Sequence, residues 1–161
     1  MQITLEKWKA ENYIDFYEAS NDDELHNNMN NDFPKTLDGC KKIVSFFANS
    51  TDTTECVRAI KADGKIIGCI AAFFRTEINF KTAELAYWIS KKYRGHGIMT
   101  KVITDYTEML FSYFEINKVF AKPFVHNAAS QKVLLKSGFK PADENEQEYI
   151  MIHRSGNRND K

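Results

Sequence analysis

Apolar residues recur along this chain with two periods, near 2 and near 3.6, and the switches between them mark out the elements. Ile3 to Trp8 alternates apolar and polar and predicts a first strand. Ala10 to Ala19 carries Tyr13, Ile14, Phe16 and Tyr17 at near-helical spacing, and Ser20-Asn21 breaks it. Asp22 to Met29 predicts a second, short helix, with Leu25 and Met29 on one side, before a polar, turn-rich stretch that Phe33-Pro34 closes. Thr36 is a good N-cap for a helix through Ile43, Val44, Phe46 and Phe47 to Asn49, with Asp38 in its first turn. Ser50 to Thr54 reads as a loop and Cys56 to Ala62 as a strand. Asp63-Gly64 is a tight hairpin signal, because the primed turns need positive φ. Lys65 to Phe74 is apolar on both faces, as a central strand is. Arg75 to Phe80 is a connection, and Lys81 to Ile89 is the next strand.

The second half opens with a helix from Ile98, its apolar row formed by Ile98, Val102, Tyr106, Met109 and Tyr113, ending at Ile116-Asn117. Lys118 to Phe124 predicts a strand, Asn127 to Ser137 a helix stopped by Gly138, and Phe139 to Pro141 the start of a short strand. Asp143 to Gln147 reads as a turn, Glu148 to His153 as the last strand, and residues 155–161 as a disordered tail after a domain of residues 1–154. Strand, crossover helix and strand from Lys81 to Phe124 form a parallel, right-handed unit. The Asp63-Gly64 hairpin is antiparallel. The fold class is therefore α+β (mixed α/β): one domain, with a twisted mixed sheet of about six to seven strands and helices on both faces.

Composition narrows the partners. The 161 residues carry 22 basic and 22 acidic side chains, which argues against a nucleic-acid footprint. Cys40, Cys56 and Cys69 form no Cys-x-x-Cys pair, so neither a disulfide framework nor a zinc site is expected. The histidines, His26, His96, His126 and His153, show no metal spacing, so no metal is expected. The N-terminus has no signal pattern, and the longest apolar run, Ile66 to Phe74, is far short of the ~20 residues a spanning helix needs. A soluble, cytoplasmic protein with no membrane partner is the expectation.

Chemistry concentrates where one strand meets a helix. Glu84-Leu85-Ala86-Tyr87-Trp88-Ile89 runs through Arg94-Gly95-His96-Gly97 into the helix beginning Ile98-Met99. Glycines let a backbone approach a ligand, and the first N–H groups of a helix lack internal partners at its positive pole. The stretch reads as a phosphate cradle. It has no Gly-Lys-Ser/Thr ending, and Thr100 stands where a dinucleotide fingerprint has its third glycine. His126-Asn127-Ala128-Ala129-Ser130 gives a second polar group at a strand end, which as plain structure is an Asn127 helix cap. Both stretches sit at the C-terminal ends of neighbouring parallel strands, where such sheets bind ligands. Asp22-Asp23-Glu24 reads as a solvated acidic face, or else as a lure for a cationic amine.

In these motifs the chain resembles the GNAT superfamily of acetyl-CoA-dependent N-acetyltransferases, and most of all its Rim-type, ribosomal-protein N-acetyltransferase-like branch. The resemblance spans Ile3 to His153. It is carried by Glu84 to Ile89, the Gly-x-Gly turn, Asn127-x-x-Ser130 and Leu134 to Gly138-Phe139. It implies a V-shaped opening between two parallel strands. It also implies a pyrophosphate motif, Gln/Arg-x-x-Gly-x-Gly/Ala, with Arg94 first, Gly97 fourth and Met99 in the sixth place, where the family has a small residue. By the same resemblance the cofactor-binding residues are Trp88, Ile89, Arg94, Gly95, His96, Gly97, Ile98, Met99, Asn127 and Ser130. Trp88 and Ile89 would pair with the pantetheine amides, while Asn127 and Ser130 line that arm. Glu84 would take the proton of the attacking amine, directly or through water; otherwise it pairs with a neighbouring lysine. Leu134 stands where many members have an acidic tyrosine, which leaves Ser130 as the nearest general acid. The implied function is transfer of acetyl from acetyl-CoA to a primary amine, on a peptide N-terminus or a small molecule, by a monomer or homodimer. The alternatives are a non-catalytic coenzyme A sensor and a general phosphoanion-binding domain.

Overall fold

The computed structural model describes residues 1–75 and 81–156. In chain order it contains β1 (Ile3–Glu6), a 3₁₀ turn (Ala10–Asn12), α1 (Tyr13–Ser20), α2 (Asp23–Asn27), α3 (Leu37–Ala48), β2 (Glu55–Ala62), β3 (Lys65–Arg75) and β4 (Thr82–Ile89). A second 3₁₀ turn (Lys91–Tyr93) leads to α4 (Ile98–Tyr113), β5 (Lys118–Ala121), α5 (Ala128–Lys136), β6 (Lys140–Glu144) and β7 (Tyr149–Arg154). The strands hydrogen-bond in the order β1-β2-β3-β4-β5-β7-β6. β1 and β2 pair antiparallel, β4 and β5 parallel, and β7 pairs antiparallel with both β5 and β6, so the sheet is mixed as expected. The β4–β5 ladder runs only from Thr82↔Lys118 to Glu84↔Phe120, and β4 continues past that last pair to Ile89. Of the expected connection at Arg75 to Phe80, Arg75 ends β3 and residues 76–80 lie outside the described residues, as do 157–161 of the expected tail.

The chain packs as two compact units, Met1–Ala72 with Ala86–His96, and Phe73–Leu85 with Gly97–Lys161. The first is built around rings. Phe16, 1% exposed, lies 5.4 Å from Trp8 and 5.0 Å from Trp88, centroid to centroid, and Phe33 lies 5.9 Å from Phe16. Thr36 caps α3 by accepting from the Gly39 N–H at 3.0 Å, and Cys40 and Val44 face the core. The helix expected from Ala10 is split, because the Asn12 side chain accepts from the Lys9 N–H at 3.0 Å and holds a separate 3₁₀ turn ahead of α1. Asp63 and Gly64 both have positive φ, 48° and 84°, as the hairpin required. All three cysteines are buried thiols. Burial pushes Cys69 up to about 12, with the Trp8 indole N–H acting in the opposite sense although no full hydrogen bond forms to it. Gly68 passes so close to β4 that a Cβ there would stand 2.4 Å from the Trp88 carbonyl oxygen.

In the second unit α4 buries Met99, Val102, Ile103, Tyr106, Thr107, Leu110 and Phe111. The row anticipated from Ile98 runs along one flank of that face, and Tyr113 at its end is 81% exposed. Strict i+4 steps miss the residues at i+1 and i+5 that complete a wide apolar stripe. β5 stops at Ala121, short of Phe124, because Pro123 has no N–H to give a ladder. β6 extends to Glu144, and the turn expected from Asp143 is displaced to Asn145, whose side chain accepts from the Gln147 and Glu148 N–H groups at 2.8 and 2.9 Å. Gly138, φ 95°, ends α5 as expected. Among the described residues no helix is long and apolar enough to cross a membrane, and no cluster of His, Cys, Asp and Glu could hold a metal ion.

His153 on β7 packs against Phe111 and Phe139, 5.5 and 5.4 Å away. Burial pushes its pKa below the ordinary 6.5, with Glu108 pulling weakly the other way. Between the depressed value and 6.5 the unfolded chain binds more protons than the native state, so this residue's contribution falls as the pH drops through 6.5. The urea midpoint should therefore fall more between about pH 7.5 and about pH 5 in the wild type than in His153→Leu. Parallel losses in the two proteins would show that His153 is not a source of the pH dependence.

Candidate active site

The turn from β4 to α4 is set by two backbone angles. Gly95 and Gly97 both have φ 77°, in the left-handed region that L side chains rarely adopt. A Cβ on either would meet nothing within 4 Å, so conformation rather than crowding selects glycine there. Gly97 is the N-cap of α4 and offers no side chain to its first N–H groups, nor is there an acidic residue in the first turn. By contrast Asp22, Thr36 and Asn127 each cap their helices through a side-chain oxygen. Gly95, His96 and Gly97 are exposed. The start of α4 thus presents unpaired-type donors and the positive helix pole at an open surface, which can seat an anion. Met99, the bulky residue in the motif's sixth place, is 7% exposed and sits on the buried face of α4, so its side chain points away from the turn's outer surface.

Arg94, the first residue of the motif, is engaged inside the first unit. Its Nη2 is 2.9 Å from Asp22 Oδ2, its Nη1 3.3 Å from Glu24 Oε2, and its Nε donates to the Ile89 carbonyl at 3.1 Å. Asp22 also caps α2, accepting from the Leu25 N–H at 2.8 Å. Asp22 is therefore tied into the structure and departs from the reading of this acidic run as a solvated face, whereas Asp23 and Glu24 are exposed and fit it, Glu24 reaching Arg94 from the surface. Trp88 is 6% exposed, its ring edge-on to Phe16 and to Phe33, so its side chain belongs to the core.

In the second unit Glu84 is the last β4 residue in the ladder with β5. Its carboxylate pairs with the Arg75 guanidinium, and the Lys122 ammonium lies 3.9 Å away. Arg75 also covers the ring of Phe120, the register partner of Glu84, at 5.8 Å. The sequence reading anticipated a lysine near Glu84 but neither named partner. Lys122 could have been found from parallel register, since it lies two residues beyond Phe120, just past the end of β5. Asn127 Oδ1 accepts from the Ser130 N–H at 3.1 Å, so Asn127 is the cap of α5. The first unit brings together Trp88, Ile89, Arg94, Gly95 and His96; the second holds Glu84, Gly97, Ile98, Met99, Asn127 and Ser130.

Left-handed glycines leading into an uncapped helix start form a backbone arrangement able to hold an anion on N–H groups. The chain belongs to the acetyltransferase (GNAT) domain family, whose model matches residues 2–140. It is similar to the putative ribosomal N-acetyltransferase YdaF of Bacillus subtilis (strain 168), with 34% identity over 77 residues, 48% of this chain and 42% of that protein. The chain thus spans less than half the length of the curated relatives it matches. Its fold is similar to that of the ribosomal-protein α-N-acetyltransferase RimL in complex with coenzyme A, with TM-score 0.84, 16% identity, and 96% of this chain and 94% of that one covered. The aminoglycoside acetyltransferase AAC(6')-Ib in complex with ribostamycin and coenzyme A gives TM-score 0.82 at 16% identity over all of both chains.

The two glycine environments make a testable contrast. Gly97→Ala should cost about 1–2 kcal/mol, through backbone conformation alone. Gly68→Ala drives a methyl group into the Trp88 carbonyl and should cost more, roughly 2–3 kcal/mol or above. Urea denaturation of the two variants measures both, and equal costs would contradict the assignment.

Proposed function

We propose that this protein is an N-acetyltransferase that moves the acetyl group of acetyl-CoA directly to a primary amine while both substrates are bound. The observation that carries this reading is the uncapped start of α4 behind Gly95 and Gly97, in a chain of the GNAT domain family. A Cβ on either glycine would meet no atom within 4 Å, which supports close approach of a ligand to the backbone there. In this reading residues 1–154 form the acetyltransferase domain. The backbone of Gly95, His96, Gly97, Ile98 and Met99 holds the diphosphate. The backbone of Trp88 and Ile89 pairs with the pantetheine arm, and Asn127 and Ser130 lie along it. Ile89's carbonyl already accepts from Arg94, which leaves its second lone pair and the neighbouring peptide groups for that pairing.

Glu84 takes the amine's proton through a bridging water, and Ser130 gives one to the departing thiolate. Most of the acceleration comes from alignment of the two substrates and from backbone donors on the thioester carbonyl. Solved relatives of this fold include enzymes whose names specify ribosomal proteins and aminoglycosides, which supports a primary amine as the acceptor class, on a peptide N-terminus or a small molecule. The protein works in the cytoplasm as a monomer or homodimer. The ion pairs of Glu84 with Arg75 and Lys122 favour a second reading, a coenzyme A-binding module that performs no turnover.

Release of free thiol from acetyl-CoA, followed across an amine panel that includes N-terminal peptides and aminoglycosides, separates the two. Thiol release that depends on one class of amine supports the enzyme. Saturable coenzyme A binding with no thiol released by any amine supports the sensor. For the enzyme, Glu84→Gln should lower kcat roughly a hundredfold at neutral pH and recover in part at high pH, where more of the amine is already neutral. An unaltered pH–rate profile would remove Glu84 as the base.

A further inference from the structure

The guanidinium of Arg94 has the position in the motif of a phosphate ligand but the surroundings of a structural tie. It is one positive charge held between two negative ones, Asp22 at 2.9 Å and Glu24 at 3.3 Å, so the cluster carries a net negative charge. A diphosphate brought onto it would meet those carboxylates as well. Its third donor, Nε, is given to the Ile89 carbonyl at the end of β4. The Arg94 and Asp22 side chains are only 27% and 19% exposed, so their attraction is less screened than that of a surface pair.

We propose that Arg94 is a positioning residue for the phosphate-binding turn: through Asp22, Glu24 and the Ile89 carbonyl it fixes where Gly95 begins, and it does not itself touch the phosphates. Glycine gives up more conformational freedom on ordering than any other residue, and this turn has two glycines at φ 77° within three residues. Anchoring the residue directly before them on β4 and on α2 removes much of that freedom before the ligand arrives. Asp22 makes the anchor rigid, since the same carboxylate caps α2 through the Leu25 N–H at 2.8 Å. The inference rests on the reading of the turn as the seat of coenzyme A phosphates.

The test compares coenzyme A with pantetheine, which keeps the thiol arm and lacks the phosphates, by calorimetry on the full chain. Melting temperatures of the variants are recorded alongside. Arg94→Met should weaken coenzyme A roughly tenfold, as when the competent turn falls to about a tenth of the population, and leave pantetheine affinity unchanged. Asp22→Asn keeps the helix cap but removes the charge, and it should weaken coenzyme A in the same direction. If Arg94 touched the phosphates directly, Asp22→Asn would free it and tighten binding, so that sign overturns the proposal. Unchanged coenzyme A affinity in Arg94→Met, or equal loss for both ligands, also overturns it. Should Arg94→Met fail to fold, the sign of the Asp22→Asn effect decides alone. A wild type that does not bind coenzyme A sinks the acetyltransferase reading itself, whereas a wild type that binds it beside unaffected variants sinks only the role of Arg94.

Discussion

Two backbone angles set the turn that leads from β4 into α4. With Gly95 and Gly97 both at φ 77°, β4 turns into α4 without any side chain crossing the first helical N–H groups. A residue with a Cβ at either place would strain the turn, and a serine, threonine or aspartate at the N-cap would fill the donors that a ligand needs. The helix behind the turn is then held by burial, through Met99, Ile103, Tyr106 and Leu110. The fold therefore keeps an uncapped helix end at its surface, where water solvates the N–H groups and can give way to an anion.

Two charged side chains named in the motifs are paired, each within its own unit. Arg94 is taken by Asp22 and Glu24, and Glu84 by Arg75 and Lys122. Arg75 is 39% exposed and Lys122 37%, so screening limits these two pairs to the scale of about 1 kcal/mol or less. They are better understood as orienting groups than as sources of stability. A carboxylate has about four acceptor sites, so these two partners leave room on Glu84 for a water molecule or an amine. That is compatible with a base that works through water and equally with a purely structural brace, and turnover separates the two.

Much of the architecture was legible in the chain because it follows from local signals. Asp63-Gly64 dictated the hairpin, Thr36 dictated the start of α3, and the apolar run after Lys65 dictated a strand buried on both faces. The strand-glycine-helix order from Glu84 to Met99 was legible for the same reason. What escaped depended on partners distant in sequence. Asp22 and Arg94 are 72 residues apart, so nothing local marks the acidic run as a tie. The partners of Glu84 follow only once the register of β4 with β5 is fixed. Met99 stands out in the sequence only as a departure from the family's small residue, because sequence gives a residue's size but not the face of the helix it occupies. β6 outran its expected end because the Asn145 side chain, rather than Asp143, makes the turn. The name of the carrier came from resemblance, whereas the anion seat came from helix-end physics.

In the proposed function the backbone N–H groups from Gly95 to Met99 seat the phosphates of coenzyme A. The most direct measurement is a titration with coenzyme A followed through the amide NMR resonances of those residues. The account predicts saturable shifts at Gly95, Gly97, Ile98 and Met99 with coenzyme A, and none with pantetheine. Coenzyme A that binds while these amides stay still, or that does not bind at all, would contradict it.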